Sequence, residues 1–184
     1  MQITGGKYNS RKIKTPEYDS IKPTLAKTRQ GIFNTLSSLI SDFEGKVFID
    51  MFSGSGIMGL EALSRGFKVI CFEKDKKTAF AIKETYKTLN LLPELYFGDA
   101  IKNIQKLSVK ADVIFIDPPY DSDLYEKSLD VIKNNNIIIS NSIVVLEHPE
   151  NRIINTLGFE VIKTKNYGNK QITYLRLLCP SKKL

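Results

Sequence analysis

The chain has 184 residues, 42% of them hydrophobic, with 27 Lys plus Arg against 20 Asp plus Glu, a formal charge of +7. That length and apolar content fit one α/β domain with a substantial core. No run of about 18 apolar residues is present for a membrane span, and no apolar segment follows Met1 for export, so a cytoplasmic protein is expected. Cys71 and Cys179 have no second Cys at ligand spacing, which argues against disulfide and zinc centres and for buried thiols. The charge is concentrated at the ends: residues 1–30 carry seven basic and two acidic side chains, and residues 160–184 carry six and one. Basic ends around a mildly acidic middle suit a polyanion held beside a site for something uncharged or cationic, although lysines at a surface also keep a protein soluble.

In chain order, residues 3–14 read as two short strands about a Gly- and Asn-containing turn, too polar to be core and therefore an appendage. Lys22-Pro23-Thr24 is extended, with Thr24 placed to cap a helix from Leu25; Ile32, Phe33, Leu36, Leu39 and Ile40 then recur at helical spacing up to Gly45. Residues 1–40 are accordingly read as an appendage and 41–184 as the main domain. From Lys46 short apolar runs alternate with helical segments. Strands are expected at Val47 to Asp50, Lys68 to Glu73, Leu95 to Gly98, Val113 to Asp117 and Ser142 to Glu147, with a final pair at Glu160 to Tyr167 and Gln171 to Leu177. Helices are expected at Met58 to Ser64, Lys76 to Leu89, Ile101 to Leu107, Leu124 to Lys133 and, briefly, near Asn151 to Leu157. Five βα units and a terminal hairpin define an α/β fold with a mostly parallel, doubly wound sheet, whose ligands belong at the carboxyl ends of the strands.

Two of those ends carry recognisable chemistry. Asp50-Met51-Phe52-Ser53-Gly54-Ser55-Gly56-Ile57-Met58-Gly59 is a glycine-rich turn in which Gly54 and Gly56 let backbone approach a ligand and Gly59 lets the helix pack closely on its strand. The same spacing occurs in tight turns that bind nothing. Asp50 can accept from an ammonium or cap a helix; Glu73 stands where a ribose diol would be gripped, or is a solvated strand end; Asp99 is a third acid in line. No Gly-Lys-Ser/Thr follows, which disfavours a phosphate loop. At the fourth strand, Asp117-Pro118-Pro119-Tyr120 couples a carboxylate and carbonyls held rigid by two prolines to a flat aromatic ring. Acceptors beside a stacking surface suit a planar base with an exocyclic amino group. The competing reading is ordinary loop punctuation. A row of acids suits a ligand bearing a ribose, an amino group and a positive centre, features of S-adenosylmethionine.

These residues resemble the motifs of S-adenosylmethionine-dependent amino-group methyltransferases of the (D/N)PP(Y/F) type. More narrowly, Gly5-Gly6-Lys7 with Arg11-Lys12, Lys22-Pro23-Thr24, Arg29 to Asn34, and Gly59-Leu60-Glu61-Ala62-Leu63-Ser64-Arg65-Gly66 resemble the RsmD-type 16S ribosomal RNA guanine-N2 methyltransferases of bacteria, over nearly the whole chain. The family usually has Arg where Lys22 stands and an Asp-Arg pair near Ala26-Lys27, differences that bear on RNA contacts. The resemblance implies a Rossmann-like methyltransferase fold with a seven-stranded sheet, a C-terminal antiparallel hairpin and a short N-terminal appendage. It implies S-adenosylmethionine held by Asp50, Phe52, Ser53, Gly54, Ser55, Gly56, Glu73, Lys74, Asp99, Ala100 and Asp117. The catalytic stretch would be Asp117, Pro118, Pro119 and Tyr120, and RNA would meet Lys7, Arg11, Lys12, Lys22, Thr24, Arg29 and Asn34. The partner implied is 16S ribosomal RNA within a small-subunit assembly particle, bound by a monomer without metal or membrane.

On this reading the target base leaves its stack, lies on Tyr120, and is held by Asp117 and the Pro118 carbonyl, with the reacting atoms about 3 to 3.5 Å apart. The amino proton leaves late, to Asp117 or to water. His148 is read as a loop histidine. The motif alone leaves adenine N6 and cytosine N4 open, on another RNA or on DNA. Rival functions are a nicotinamide-dependent oxidoreductase and a non-catalytic RNA-binding protein.

Overall fold

The computed structural model describes residues 1–13, 24–119, 122–156 and 158–178. After an N-terminal segment and helix α1 (Ala26–Leu39), the chain alternates β1 (Val47–Asp50), α2 (Ile57–Ser64), β2 (Lys68–Glu73), α3 (Lys76–Lys87), β3 (Glu94–Phe97), α4 (Ala100–Ile104), β4 (Ala111–Ile116), α5 (Leu124–Asn134) and β5 (Ile138–Pro149). It ends in the hairpin β6 (Phe159–Tyr167) and β7 (Lys170–Leu177). The sheet has seven strands in the order β3-β2-β1-β4-β5-β7-β6; β7 pairs antiparallel with β5 and β6, and the other neighbours are parallel.

Strand pleating sorts the side chains into two cores. Ile49, Ile114 and Ile116 point to the face covered by Ile104 of α4 and Leu129 and Ile132 of α5, while Phe48 and Phe115 point to the face covered by Ile32, Phe33 and Leu36 of α1 and Met58 and Ala62 of α2. Chain order runs outward from β1 to β3 and then returns to β4 on the other side of β1. That reversal leaves a crevice above the carboxyl ends of β1 and β4, where open α/β sheets receive ligands.

Several expectations need correction. The N-terminal strands reduce to a single antiparallel bridge, Gln2 with Lys12, supported by the Ile3 N–H to Arg11 carbonyl bond at 3.1 Å. The segment is not too polar for core: Ile3 and Ile13 are buried against Ile57, Leu60, Ile82 and Tyr86 of α2 and α3. Thr24 does not cap α1; Leu25 takes the cap position without a side-chain bond, and the Thr24 hydroxyl donates to Glu147 Oε2 at 3.1 Å. Residues 151–156 form a turn and irregular backbone rather than a helix, with Ile153 96% exposed; so short a segment cannot recover the cost of helix nucleation without a buried face. His148 is no loop residue, since it lies inside β5, buried, with Nε2 at 2.9 Å from the Thr173 hydroxyl. Burial also lowers the His148 pKa. Cys71 is buried as expected; Cys179 lies outside the described residues.

Candidate functional site

A cleft of about 750 Å³ opens at the crevice, lined by the ends of four consecutive parallel strands. Asp50, Phe52, Ser53, Gly54, Ser55, Glu73, Lys74, Asp99, Ala100, Asp117, Pro118 and Pro119 all face it. The structure thus brings together most of the residues the sequence assigned to cofactor and catalysis. Gly56 does not line the cleft. It takes the left-handed conformation at φ 75° that starts α2, and a Cβ there would meet the Ile82 side chain at 3.1 Å. Gly59 packs as its spacing implies, for a Cβ would lie 2.4 Å from the Tyr86 hydroxyl.

Asp50 is the most unusual group. Its residue is 1% exposed, and neither carboxylate oxygen has a hydrogen-bond partner among the described residues. Burial, and then the charge of Glu73, push its pKa up to about 7; the backbone N–H groups of Phe52 and Gly59 and the Ser53 hydroxyl offset this only in part and reach no bonding geometry. A buried, unsatisfied acceptor facing a cleft favours a cationic donor. Glu73 is turned onto the glycine loop, accepting from the Gly54 N–H and the Asp75 N–H, each at 2.8 Å, with its pKa raised by burial. Each of its oxygens keeps a lone pair for a further donor. Asp99 caps α4 by accepting from the Lys102 N–H at 3.2 Å. The carboxylate that begins α4 therefore also faces the cleft.

At the end of β4, Pro118 is buried and Pro119 exposed, and the Pro119 carbonyl accepts from the Ser122 N–H at 3.2 Å and the Ser122 hydroxyl at 2.6 Å. Tyr120 lies outside the described residues. Burial raises the pKa of Asp117 well above the carboxylate range; Glu147 and Asp50 add to this and Lys170 opposes it. Sequence reasoning missed Glu147 and Lys170. The available signal was an acid ending a fifth apolar run, as at the other four strands.

The expected RNA contacts divide. Lys7, Arg11, Lys12 and Asn34 are exposed, and Lys22 lies outside the described residues. Thr24 is 5% exposed, with its hydroxyl on Glu147. Arg29 is 2% exposed: Nε donates to Glu61 Oε1 at 2.9 Å, Nη1 to the Thr24 carbonyl at 2.6 Å and Nη2 to the Gln2 carbonyl at 2.6 Å. It is a buried clamp rather than a surface contact, because a guanidinium inside the protein is stable only when its donors are met. Glu61, fully buried, is completed by the Thr4 N–H and hydroxyl, each at 2.9 Å, and by Arg65.

A family model described as Conserved hypothetical protein 95 matches residues 1–176. The chain is 32% identical to the ribosomal RNA small subunit methyltransferase D of Buchnera aphidicola from Acyrthosiphon pisum, over 83% of this chain and 80% of that one. Among solved structures, a hypothetical protein of Thermus thermophilus superposes with a TM-score of 0.81 at 23% identity, covering 96% of this chain and 99% of its own. An RNA methyltransferase of Salinibacter ruber in complex with S-adenosyl-L-homocysteine gives a TM-score of 0.67 at 15% identity, over 88% of this chain and 98% of that one. The chain belongs to the Conserved hypothetical protein 95 family, the family of the RsmD-type ribosomal RNA small subunit methyltransferases.

Proposed function

We propose that this methyltransferase moves a methyl group from S-adenosylmethionine to the exocyclic N2 of a guanine in 16S ribosomal RNA. The observation that carries the reading is the row of strand-end acids Asp50, Glu73, Asp99 and Asp117 around one cleft, with Asp117-Pro118-Pro119 at its edge. The residues present fit the cofactor. Asp50, buried and without a partner among the described residues, suits its ammonium; Glu73 has acceptor capacity for ribose hydroxyls; the Gly54 backbone allows close approach. When bound, the cofactor supplies an electrophilic methyl on a good leaving group. Family membership supports ribosomal RNA as the substrate class, and the resemblance of the extended motifs selects guanine N2 and the small subunit.

The chain's own work is positioning. Asp117 and the carbonyl of Pro118 accept from the target amino group, which turns the nitrogen lone pair toward the cleft, and Tyr120 supplies the stacking surface for the base. Holding the reactants in line at about 3 to 3.5 Å supplies most of the rate. The exposed Lys7, Arg11 and Lys12 of the N-terminal segment, with Lys22 and Asn34, attract and orient the RNA backbone. Residues 1–40 act as the RNA-contacting appendage of a monomeric catalytic domain at 41–184, working on a small-subunit assembly particle in the cytoplasm.

Isothermal calorimetry tests the reading against its rivals. S-adenosylhomocysteine should bind and NAD should not. Binding of NAD alone would return the glycine loop to an oxidoreductase, and binding of neither would favour a non-catalytic RNA-binding role.

A further inference from the structure

Helix α3 carries a charged face that the methyl-transfer scheme leaves unused. Asp75 caps the helix by accepting from the Thr78 N–H at 2.8 Å, and Ala79, Ile82 and Tyr86 recur at helical spacing on the side turned into the protein. Ile82 and Tyr86 meet Ile3 and Ile13, so the segment that bears Lys7, Arg11 and Lys12 packs on this same helix. The opposite side is fixed by the same geometry. Lys76, Phe80, Lys83 and Lys87 follow one another at steps of four, three and four residues, which at about 100° per residue places all four within about 60° of one another. All four are exposed, Phe80 to 66%. Residues 74–87 hold five lysines against Glu84 and Asp75, the latter committed to the cap. Lys76 and Lys83 have no ion-pair partner among the described residues, and the exposed Lys87–Glu84 pair, at 2.6 Å, holds Lys87 only weakly.

A lone exposed ring is ordinary at a protein surface, and scattered lysines keep proteins soluble. This face differs in its arrangement and its direction. Lys76 and Lys83 flank Phe80 along the helix axis, and α3 starts at the cleft, whose wall includes Lys74, Asp75, Lys77 and Thr78, and runs on for about 16 Å between Lys76 and Lys87. A protein partner would need a contiguous apolar centre, which one ring among three cations does not provide. Single-stranded RNA fits better, since its phosphates match the lysines and each base offers a flat face to the ring. We propose that α3 presents a track for a single-stranded segment of the substrate RNA, in which Lys76, Lys83 and Lys87 meet phosphates and one unpaired base stacks on Phe80. This inference rests on the RNA methyl-transfer reading and names where the substrate lies outside the cleft. A target base that leaves its stack is drawn most readily from an unpaired stretch, and a track that holds such a stretch beside the cleft lowers that cost.

The chain contains no tryptophan, so Phe80→Trp introduces a single indole whose emission reports on the track. Titrated with small-subunit RNA from a strain lacking this gene, that variant should bind as wild type does, and its emission, corrected for absorption by the RNA, should be quenched as a base stacks on the ring. Phe80→Ala should weaken RNA binding by about 5- to 100-fold with its salt dependence unchanged. Lys76→Gln with Lys83→Gln and Lys87→Gln should lower the slope of log affinity against log salt by about 2. Adding Phe80→Trp to these three should move the quenching midpoint to higher RNA concentration. S-adenosylhomocysteine affinity should stay at the wild-type value throughout, because none of the four side chains lines the cleft. Bound RNA with unquenched emission, or affinity and salt slope unchanged in the Ala and Gln variants, would overturn the inference and leave α3 a solvated face. Wild-type protein that binds no small-subunit RNA would instead overturn the reading on which the track rests.

Discussion

Asp50 couples the function of the cleft to the stability of the fold. Its pKa, pushed up to about 7 from an ordinary 3.8, means the folded state resists ionising it. Below about 3.8 both folded and unfolded chains hold the proton and nothing is lost; as pH rises toward 7 the unfolded chain ionises first, so stability falls, and the cost is complete above about 7. At 1.36 kcal/mol per unit the penalty is on the order of 4 kcal/mol. Asp50→Asn should therefore stabilise the ligand-free protein at pH 8 by about 2 to 4 kcal/mol in urea melts while weakening S-adenosylhomocysteine by at least about tenfold. Loss of stability in that variant would mean the carboxylate has partners after all. For the native protein, an ammonium beside Asp50 favours the charged form, so ligand affinity should rise with pH through 7 and binding at pH 7 should release protons, read from calorimetry in buffers of different ionisation enthalpy. A flat affinity between pH 6 and 8 would contradict it. Tyr120 separates stacking from proton transfer: Tyr120→Phe should keep most single-turnover activity, whereas Tyr120→Ala loses a platform worth roughly 1 to 3 kcal/mol. Equal, severe losses in both would give the hydroxyl a part in the chemistry.

At the scale of elements, the N-terminal segment, α1 and α2 are tied by one buried carboxylate. Glu61 of α2 takes Arg29 of α1, Arg65 one turn later and Thr4 of the N-terminal segment. Glu61→Ala would strand two arginines and should cost roughly 3 to 5 kcal/mol in denaturant unfolding, with the unfolding transition still cooperative. A loss under about 1 kcal/mol would show that water replaces the carboxylate without penalty. The same elements mark the limit of what the sequence could reveal. The parallel strands were legible because short apolar runs, each ending at an acid (Asp50, Glu73, Asp99, Asp117 and Glu147), alternate with segments of helical spacing. The cleft-facing acids were legible for the same reason, since strand ends in such a sheet converge. Arg29 was not: a basic residue in a basic, helical stretch looks exposed until the partner 32 residues away in sequence is seen. Thr24 misled similarly, because it lies one residue before the cap position, which Leu25 takes, and its hydroxyl donates instead to Glu147. Among the described residues of the expected helix near Asn151, Ile154 packs against the core while Ile153 stays in solvent, too little apolar burial to hold a turn of helix.

For the whole molecule, the charge distribution and the cleft must act together. The exposed basic side chains Lys7, Arg11 and Lys12 lie on a segment anchored through Ile3 and Ile13 to the face made by α2 and α3. Replacing all three by Gln should weaken RNA binding about uniformly across sequences and reduce the slope of log affinity against log salt by roughly 2 to 3, leaving cofactor affinity intact. An unchanged slope would move the RNA interface elsewhere. The central claim, amino methylation of guanine by a cleft built from strand-end acids, is tested most directly by the chemical identity of the product. Small-subunit RNA from a strain lacking this gene, incubated with the protein and labelled S-adenosylmethionine and then digested to nucleosides, should carry the label in N2-methylguanosine, and Asp117→Ala should abolish it. Label in N6-methyladenosine or N4-methylcytidine, or no label with active, folded protein, would contradict the account.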